Sequence, residues 1–217
     1  DVISGGLGTD TASFANSRTA VQVNLATGIG TGGDAEGDAI SGVENLTGSA
    51  QGDLLVGDAG INRLDGGSGD DTLEGGAGAD VLVGGAGANY ASYAGAASGV
   101  YASLQAPGTN TGDAQGDSYS QIQNLIGSAN NDTLSGDTTD NIIQGGAGDD
   151  TLAGLAGADT LQGGEGTDTA DYSASVQAVS VHLGNNVGLG GDAEGDRYNS
   201  IDNLIGTASA DTLTGNA

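Results

Sequence analysis

Residues 66–92 read GGSGDDTLEGGAGADVLVGGAGANYAS, three nine-residue units laid end to end. Each unit opens Gly-Gly and carries Asp or Asn at its sixth place; the first two place leucine at the eighth, and the third relaxes to Ala91. One apolar residue in nine cannot build an amphipathic helix, which needs apolar residues recurring three and four apart. Glycine at two or three places in nine weighs against a helix as well. What remains is a very short strand, x-Leu-x, followed by a six-residue glycine turn. Repetition winds such a chain into a flattened parallel coil with two units, 18 residues, per turn. Side chains one coil apart then stack at the interstrand spacing of about 4.8 Å. The expected class is all-β.

The beat extends well beyond this stretch. Units beginning at Gly48, Gly57, Gly66, Gly75 and Gly84 have Asp53, Asn62, Asp71, Asp80 and Asn89 at the sixth place and Leu55, Leu64, Leu73, Leu82 and Ala91 at the eighth. The next block supplies Asp132, Asn141, Asp150, Asp159 and Asp168, with Leu134, Ile143, Leu152, Leu161 and Ala170. Asp1, Asp10 and Asp211 keep the beat at the chain ends. A longer period of 79 residues encloses the short one: GTDTASFANS from Gly8 returns as GANYASYAGA from Gly87 and GTDTADYSAS from Gly166, without insertion or deletion. The copies are 1–79, 80–158 and a partial 159–217, expected to form one continuous solenoid over 1–217. Because both ends fall inside a unit, the sequence reads as a piece of a longer array, with neighbouring repeats of the same chain as partners. The linking stretches, such as 14–47, keep strand-like alternation in VQVNL and are expected to be longer coils of the same solenoid. Phe14, Tyr93 and Tyr172, equivalent in the three copies, are expected to cover the core there.

Stacking sets acidic side chains over one another, Asp53 with Asp71, Asp71 with Asn89, Asp132 with Asp150, Asp150 with Asp168, Asn62 with Asp80 and Asn141 with Asp159. Two carboxylates about 5 Å apart repel by roughly 3 kcal/mol at an effective dielectric near 20. Acidic residues outnumber basic ones 29 to 3, so arginine cannot neutralise the ladder. A divalent cation can. Carboxylate and carbonyl oxygens select hard cations, and calcium suits flexible backbone better than magnesium because it accepts six to eight oxygens in loose geometry. The same charge balance excludes nucleic acid, whose phosphates need a basic footprint, and disfavours anionic membrane surfaces. No run of 18 apolar residues suggests membrane insertion. The chain has no cysteine for thiolate metal sites.

These residues resemble a known family: GGSGDDTLE, GGAGADVLV and GGAGDDTLA are similar to the calcium-binding nonapeptide of the RTX (repeats-in-toxin, haemolysin-type) proteins. The resemblance implies a right-handed parallel β-roll, or β-helix solenoid, with several calcium ions between glycine-rich turns. It also implies export by a bacterial type I secretion system and folding outside the cell. By resemblance, the sixth-place residues named above and the carbonyls of the turns are ligands. The turn glycines so implied are Gly66, Gly67, Gly69, Gly75, Gly76, Gly78, Gly84, Gly85, Gly87, Gly145, Gly146, Gly148, Gly154, Gly157, Gly163, Gly164 and Gly166. Asn62, Asn89 and Asn141 keep an oxygen but lose a charge, implying weaker sites. Units at Gly48, Gly57, Gly127 and Gly136 lack the full Gly-Gly-x-Gly turn.

Other motifs carry less. The acidic linker turns, with Asp34 and Asp38, Asp113 and Asp117, and Asp192 and Asp196, read equally as further calcium turns or as solvated loops. Asn45, Asn124 and Asn203 are expected to cap turn backbone. GIGTGG at 28–33 fits a nucleotide-binding pattern, but acidic residues follow where a helix would have to start, and the other copies carry Pro107 and Asn186 at its first glycine. His182, the only histidine, has Asn24 and Ser103 as its equivalents and lacks the partners of a base or zinc ligand. The expectation is a non-enzymatic, calcium-dependent segment of a large secreted or cell-surface bacterial protein, a structural or adhesive spacer. Two alternatives stay open: a subunit of an extracellular filament, sheath or surface layer that self-associates, and the folding and secretion appendix of an exported hydrolase or epimerase.

Overall fold

In the computed structural model, residues 1–216 are described. Ala217, the end of the third, partial copy, lies outside them. The chain is a parallel β-roll built of strands three to six residues long, with short 3-10 turns and no α-helix among the described residues. It divides into two compact units, Asp1–Gly95 with Asn110–Ile122, and Ala96–Thr109 with the residues from Gln123 onward.

In the first unit, two parallel stacks run along the coil. One comprises Gln22–Asn24, Leu54–Val56, Thr72–Glu74 and Tyr90–Ser92. The other comprises Thr11–Ser13, Asn45–Thr47, Arg63–Ser68, Val81–Ala86 and Ser118–Ser120. Register follows the beat: Leu55 lies over Leu73 and Leu73 over Ala91, while Leu46, Leu64 and Leu82 follow one another. The linkers are longer coils, since Ala12 pairs with Leu46 and Leu82 with Tyr119 across them.

The second unit repeats the plan. Tyr101–Ser103, Thr133–Ser135, Thr151–Ala153, Thr169–Asp171 and Asn203–Ile205 form one stack. Asn124–Ile126, Ile142–Ala147, Thr160–Glu165 and Arg197–Asn199 form the other. Each linker in a complete hairpin form adds an antiparallel pair, Gln22–Asn24 with Ile29–Thr31 and Ser180–His182 with Val187–Leu189. The first of these places the GIGTGG stretch in a strand and a 3-10 turn, with no helix for phosphate to meet.

The reason for three-residue strands is the width of the core. Leu55, Leu64, Leu73, Leu82, Leu134, Ile143, Leu152 and Leu161 are each 0% exposed. Their neighbours on either side point outward, as alternation in a strand requires. Burying each such side chain contributes about 2 kcal/mol. Phe14, Tyr93 and Tyr172 are buried where the coil widens at the linkers. Asn45, Asn124 and Asn203 differ from expectation. They begin strands instead of capping turns, and Asn124 Oδ1 accepts the Ile142 amide of the next coil at 2.7 Å.

Candidate metal centres at the glycine turns

The sixth-place side chains stack in the pairs that the spacing predicts, but a hydrogen bond links each rung. The Asp53 amide donates to Asp71 Oδ1, Asn62 to Asp80, Asp71 to Asn89, Asp132 to Asp150, Asn141 to Asp159 and Asp150 to Asp168, all at 2.8–3.0 Å. Like-charge repulsion along the ladder is therefore partly offset by one backbone donor per carboxylate, a compensation that sequence reasoning left wholly to a cation.

The second oxygen sorts these residues into groups. Buried Oδ2 atoms of Asp10, Asp71, Asp80, Asp150, Asp159 and Asp168 have no hydrogen-bond partner. Leaving a buried polar atom unpaired costs about 1–3 kcal/mol, and more if it is charged. Burial accordingly pushes the carboxyl of Asp71 up to about 6 and those of Asp150 and Asp159 up to about 7, ahead of the smaller influence of neighbouring carboxylates. Asp80 and Asp168 are raised for the same reason.

At Asp53, Asp132 and Asp211, by contrast, protein donors take both oxygens. Oδ1 accepts the amides of Val21, Val100 and Val179, and Oδ2 accepts those of Ser49, Ser128 and Thr207. These bonds, led by the Val179 amide, hold the Asp211 carboxyl below the usual range. Asn62 and Asn141 are satisfied likewise: Oδ1 accepts the Asp58 and Asp137 amides at 2.8 Å, and Nδ2 donates to the Glu44 and Gln123 carbonyls.

The second residue of each unit decides between these outcomes. Ser49, Asp58, Ser128, Asp137 and Thr207 aim their amides at the sixth side chain. Units with an orphan oxygen instead have a left-handed residue there: Gly6, Gly67, Gly76, Gly146 and Gly164 at φ 89–114°, and Leu155 at φ 71°. Turning that peptide removes the donor. The first glycine has a separate reason. A Cβ on Gly66 would strike both Asp71 Oδ2 and the Gly84 carbonyl oxygen of the next coil, and one on Gly145 would strike Asp150 Oδ2 and the Gly163 carbonyl. The carboxylate oxygen and the carbonyl thus share one small cradle. Among the described residues no three His, Cys, Asp or Glu side chains gather at one point, so a metal here would rest on one carboxylate and backbone oxygens.

The family model for the RTX calcium-binding nonapeptide repeat matches residues 56–91, 126–161, 135–170 and 198–217. The chain carries RTX calcium-binding repeats. No curated protein matches it. The RTX turns with orphan oxygens suit calcium by the chemistry of their donors, all of them oxygen and one of them a buried, unpaired carboxyl oxygen.

The remaining candidates are placed differently. Asp1 is exposed, and its amino group pairs with Asp38 Oδ1 at 2.6 Å. Asp34, Asp113 and Asp192 sit in 3-10 turns at 33–35, 112–114 and 191–193. Asp117 and Asp196 occupy the ladder, accepting the Asp80 and Asp159 amides on Oδ1 at 2.9 and 2.8 Å. Their Oδ2 atoms, however, accept phenol protons from Tyr93 and Tyr172, each of which also meets Tyr119 or Tyr198. Burial still pushes both carboxyls up to about 6. His182 Nδ1 accepts the Asn185 amide at 3.2 Å, a local turn contact. Sequence reasoning missed the left-handed Leu155, Gln121 and Ser200. The one signal for the last two was glycine at the equivalent Gly42.

Proposed function

We propose that this chain is a non-enzymatic segment of a large secreted or cell-surface bacterial protein that folds on extracellular calcium and then serves as a structural or adhesive spacer. The observation that carries the reading is the set of buried, partnerless Oδ2 atoms, each in a turn whose second residue is left-handed. Asp10, Asp71, Asp80, Asp150, Asp159 and Asp168, with carbonyls of their glycine turns, would hold the ions. Asp53, Asp132 and Asp211, whose oxygens are filled by protein donors, serve as structural rungs. So do Asn62 and Asn141. Calcium supplies the positive charge that the buried carboxylates lack, and affinity of about 10⁻⁴ to 10⁻³ M suits an extracellular module.

The support is energetic. Several carboxyl groups are buried with one oxygen, Oδ2, lacking a donor in a chain of formal net charge −26, and an ion that binds only the folded state shifts the balance toward it. Far-UV circular dichroism during a calcium titration from chelator, with magnesium as control, tests this. A cooperative coil-to-β transition specific to calcium is expected. A β spectrum already complete in chelator and indifferent to calcium would defeat the reading.

A further inference from the structure

Asp10, Asn89 and Asp168 occupy the same place in successive 79-residue copies, in the last nonapeptide before a linker. Their surroundings repeat. The second residues Gly6, Gly85 and Gly164 are all left-handed, at φ 101°, 90° and 114°. A left-handed residue of the following linker, Gly42, Gln121 or Ser200 at φ 58°, 55° or 52°, turns its carbonyl oxygen onto the first glycine of the unit. A Cβ on Gly5, Gly84 or Gly163 would strike that oxygen. The backbone thus builds one cradle three times.

One side-chain atom differs. At Asp10 and Asp168 it is a buried Oδ2 with no partner. At Asn89 it is Nδ2, which donates to the carbonyl oxygens of Gln121 at 3.1 Å, Gly85 at 3.4 Å and Gly87 at 3.5 Å. The other end of the carboxamide fixes this orientation, because Oδ1 accepts the Asp71 amide at 3.0 Å. Rotating the group would set oxygen against carbonyl oxygens and nitrogen against an N–H.

We propose that the Asn89 carboxamide is a built-in substitute for a cation. Its N–H groups give the converging carbonyls the positive partner that an ion gives elsewhere, so the cradle of the middle copy holds no metal. The same cradles at Asp10 and Asp168 take a hard divalent cation, with the linker carbonyls of Gly42 and Ser200 among its ligands. This assignment rests on the calcium reading above, and it makes the ion count a matter of single atoms. It also means that the middle cradle closes without calcium.

Calcium bound per chain, measured by equilibrium dialysis at saturation with circular dichroism confirming the fold, tests the assignment. Asn89→Asp is expected to add one ion, Asn89→Ala none, and Asp168→Asn, which copies the middle cradle, to lose one. In chelator, Asn89→Asp should lower the melting temperature and Asp168→Asn should raise it. A calcium-binding wild type whose count is unchanged in Asn89→Asp and in Asp168→Asn would overturn the assignment while leaving the calcium reading intact. A wild type that binds no calcium would overturn both.

Discussion

Asp150 shows how one side chain can be both anchored and incomplete. Oδ1 is held by the Asp132 amide at 2.8 Å, while Oδ2 lies buried without a donor against Gly145. Asp150→Asn should therefore remove one calcium per chain in a binding assay. Asp53→Asn should leave the count unchanged and lower stability instead, because Asp53 already accepts from Val21 and Ser49. Leu155 poses a different question, since it holds φ 71° in a place that glycine fills in the neighbouring units. A left-handed conformation costs a side-chain-bearing residue about 1–2 kcal/mol. Leu155→Gly, measured by urea denaturation in saturating calcium, relieves that strain but gives up a partly buried side chain and gains the backbone freedom of glycine in the unfolded state, so stability should change by less than about 1 kcal/mol. The ion count should not change, because the peptide already faces the way an Asp159 site requires.

The coil is the next level, and two kinds of residue keep each coil in register. The leucine column fixes the spacing from inside: Leu134, Leu152 and Ala170 follow one another in adjacent strands with full burial. Leu152→Ala leaves a cavity in a core one side chain wide, with little room to collapse, and should cost about 2–5 kcal/mol in denaturant unfolding. At the linker coils the Tyr172 phenol donates to Asp196. This column was legible in the sequence, because a nine-residue apolar period in glycine-rich chain has few other outcomes. So were the 18-residue pairs and the longer linker coils. What stayed hidden was which carboxylates are free. That depends on the direction of one peptide at the second place of the unit, and Leu155 adopts the left-handed form although nothing in its identity favours it. The role of Asp117 and Asp196 was equally hidden, because Tyr93 and Tyr172 lie 24 residues before them in sequence and meet them only once the coil is wound.

For the whole molecule, the proposed calcium sites set protons and calcium in competition for the same oxygens. In chelator, burial raises the carboxyls of Asp150 and Asp159 to about 7 and that of Asp71 to about 6, from an ordinary value of 3.8. A carboxyl whose folded value is raised binds its proton more tightly in the folded state than in the unfolded one. Its contribution to stability is therefore complete below the unfolded value and is lost as pH rises through the folded one. The metal-free chain should be most stable in mild acid and lose stability progressively from about pH 4 to about pH 7. Formal net charge of −26 pushes the same way, since deprotonation adds self-repulsion across the chain. Calcium at these sites should reverse the slope, because an ion on a deprotonated oxygen must be displaced before a proton can bind. Melting curves in chelator should thus fall in temperature between about pH 5 and about pH 8, whereas in saturating calcium they should rise or stay level over the same interval. The half-saturating calcium concentration should climb as the medium is acidified, because protons then occupy the sites. Parallel slopes with and without calcium would mean that the ion binds away from these carboxylates. Opposed slopes would place calcium on the same unpaired oxygens that the roll buries.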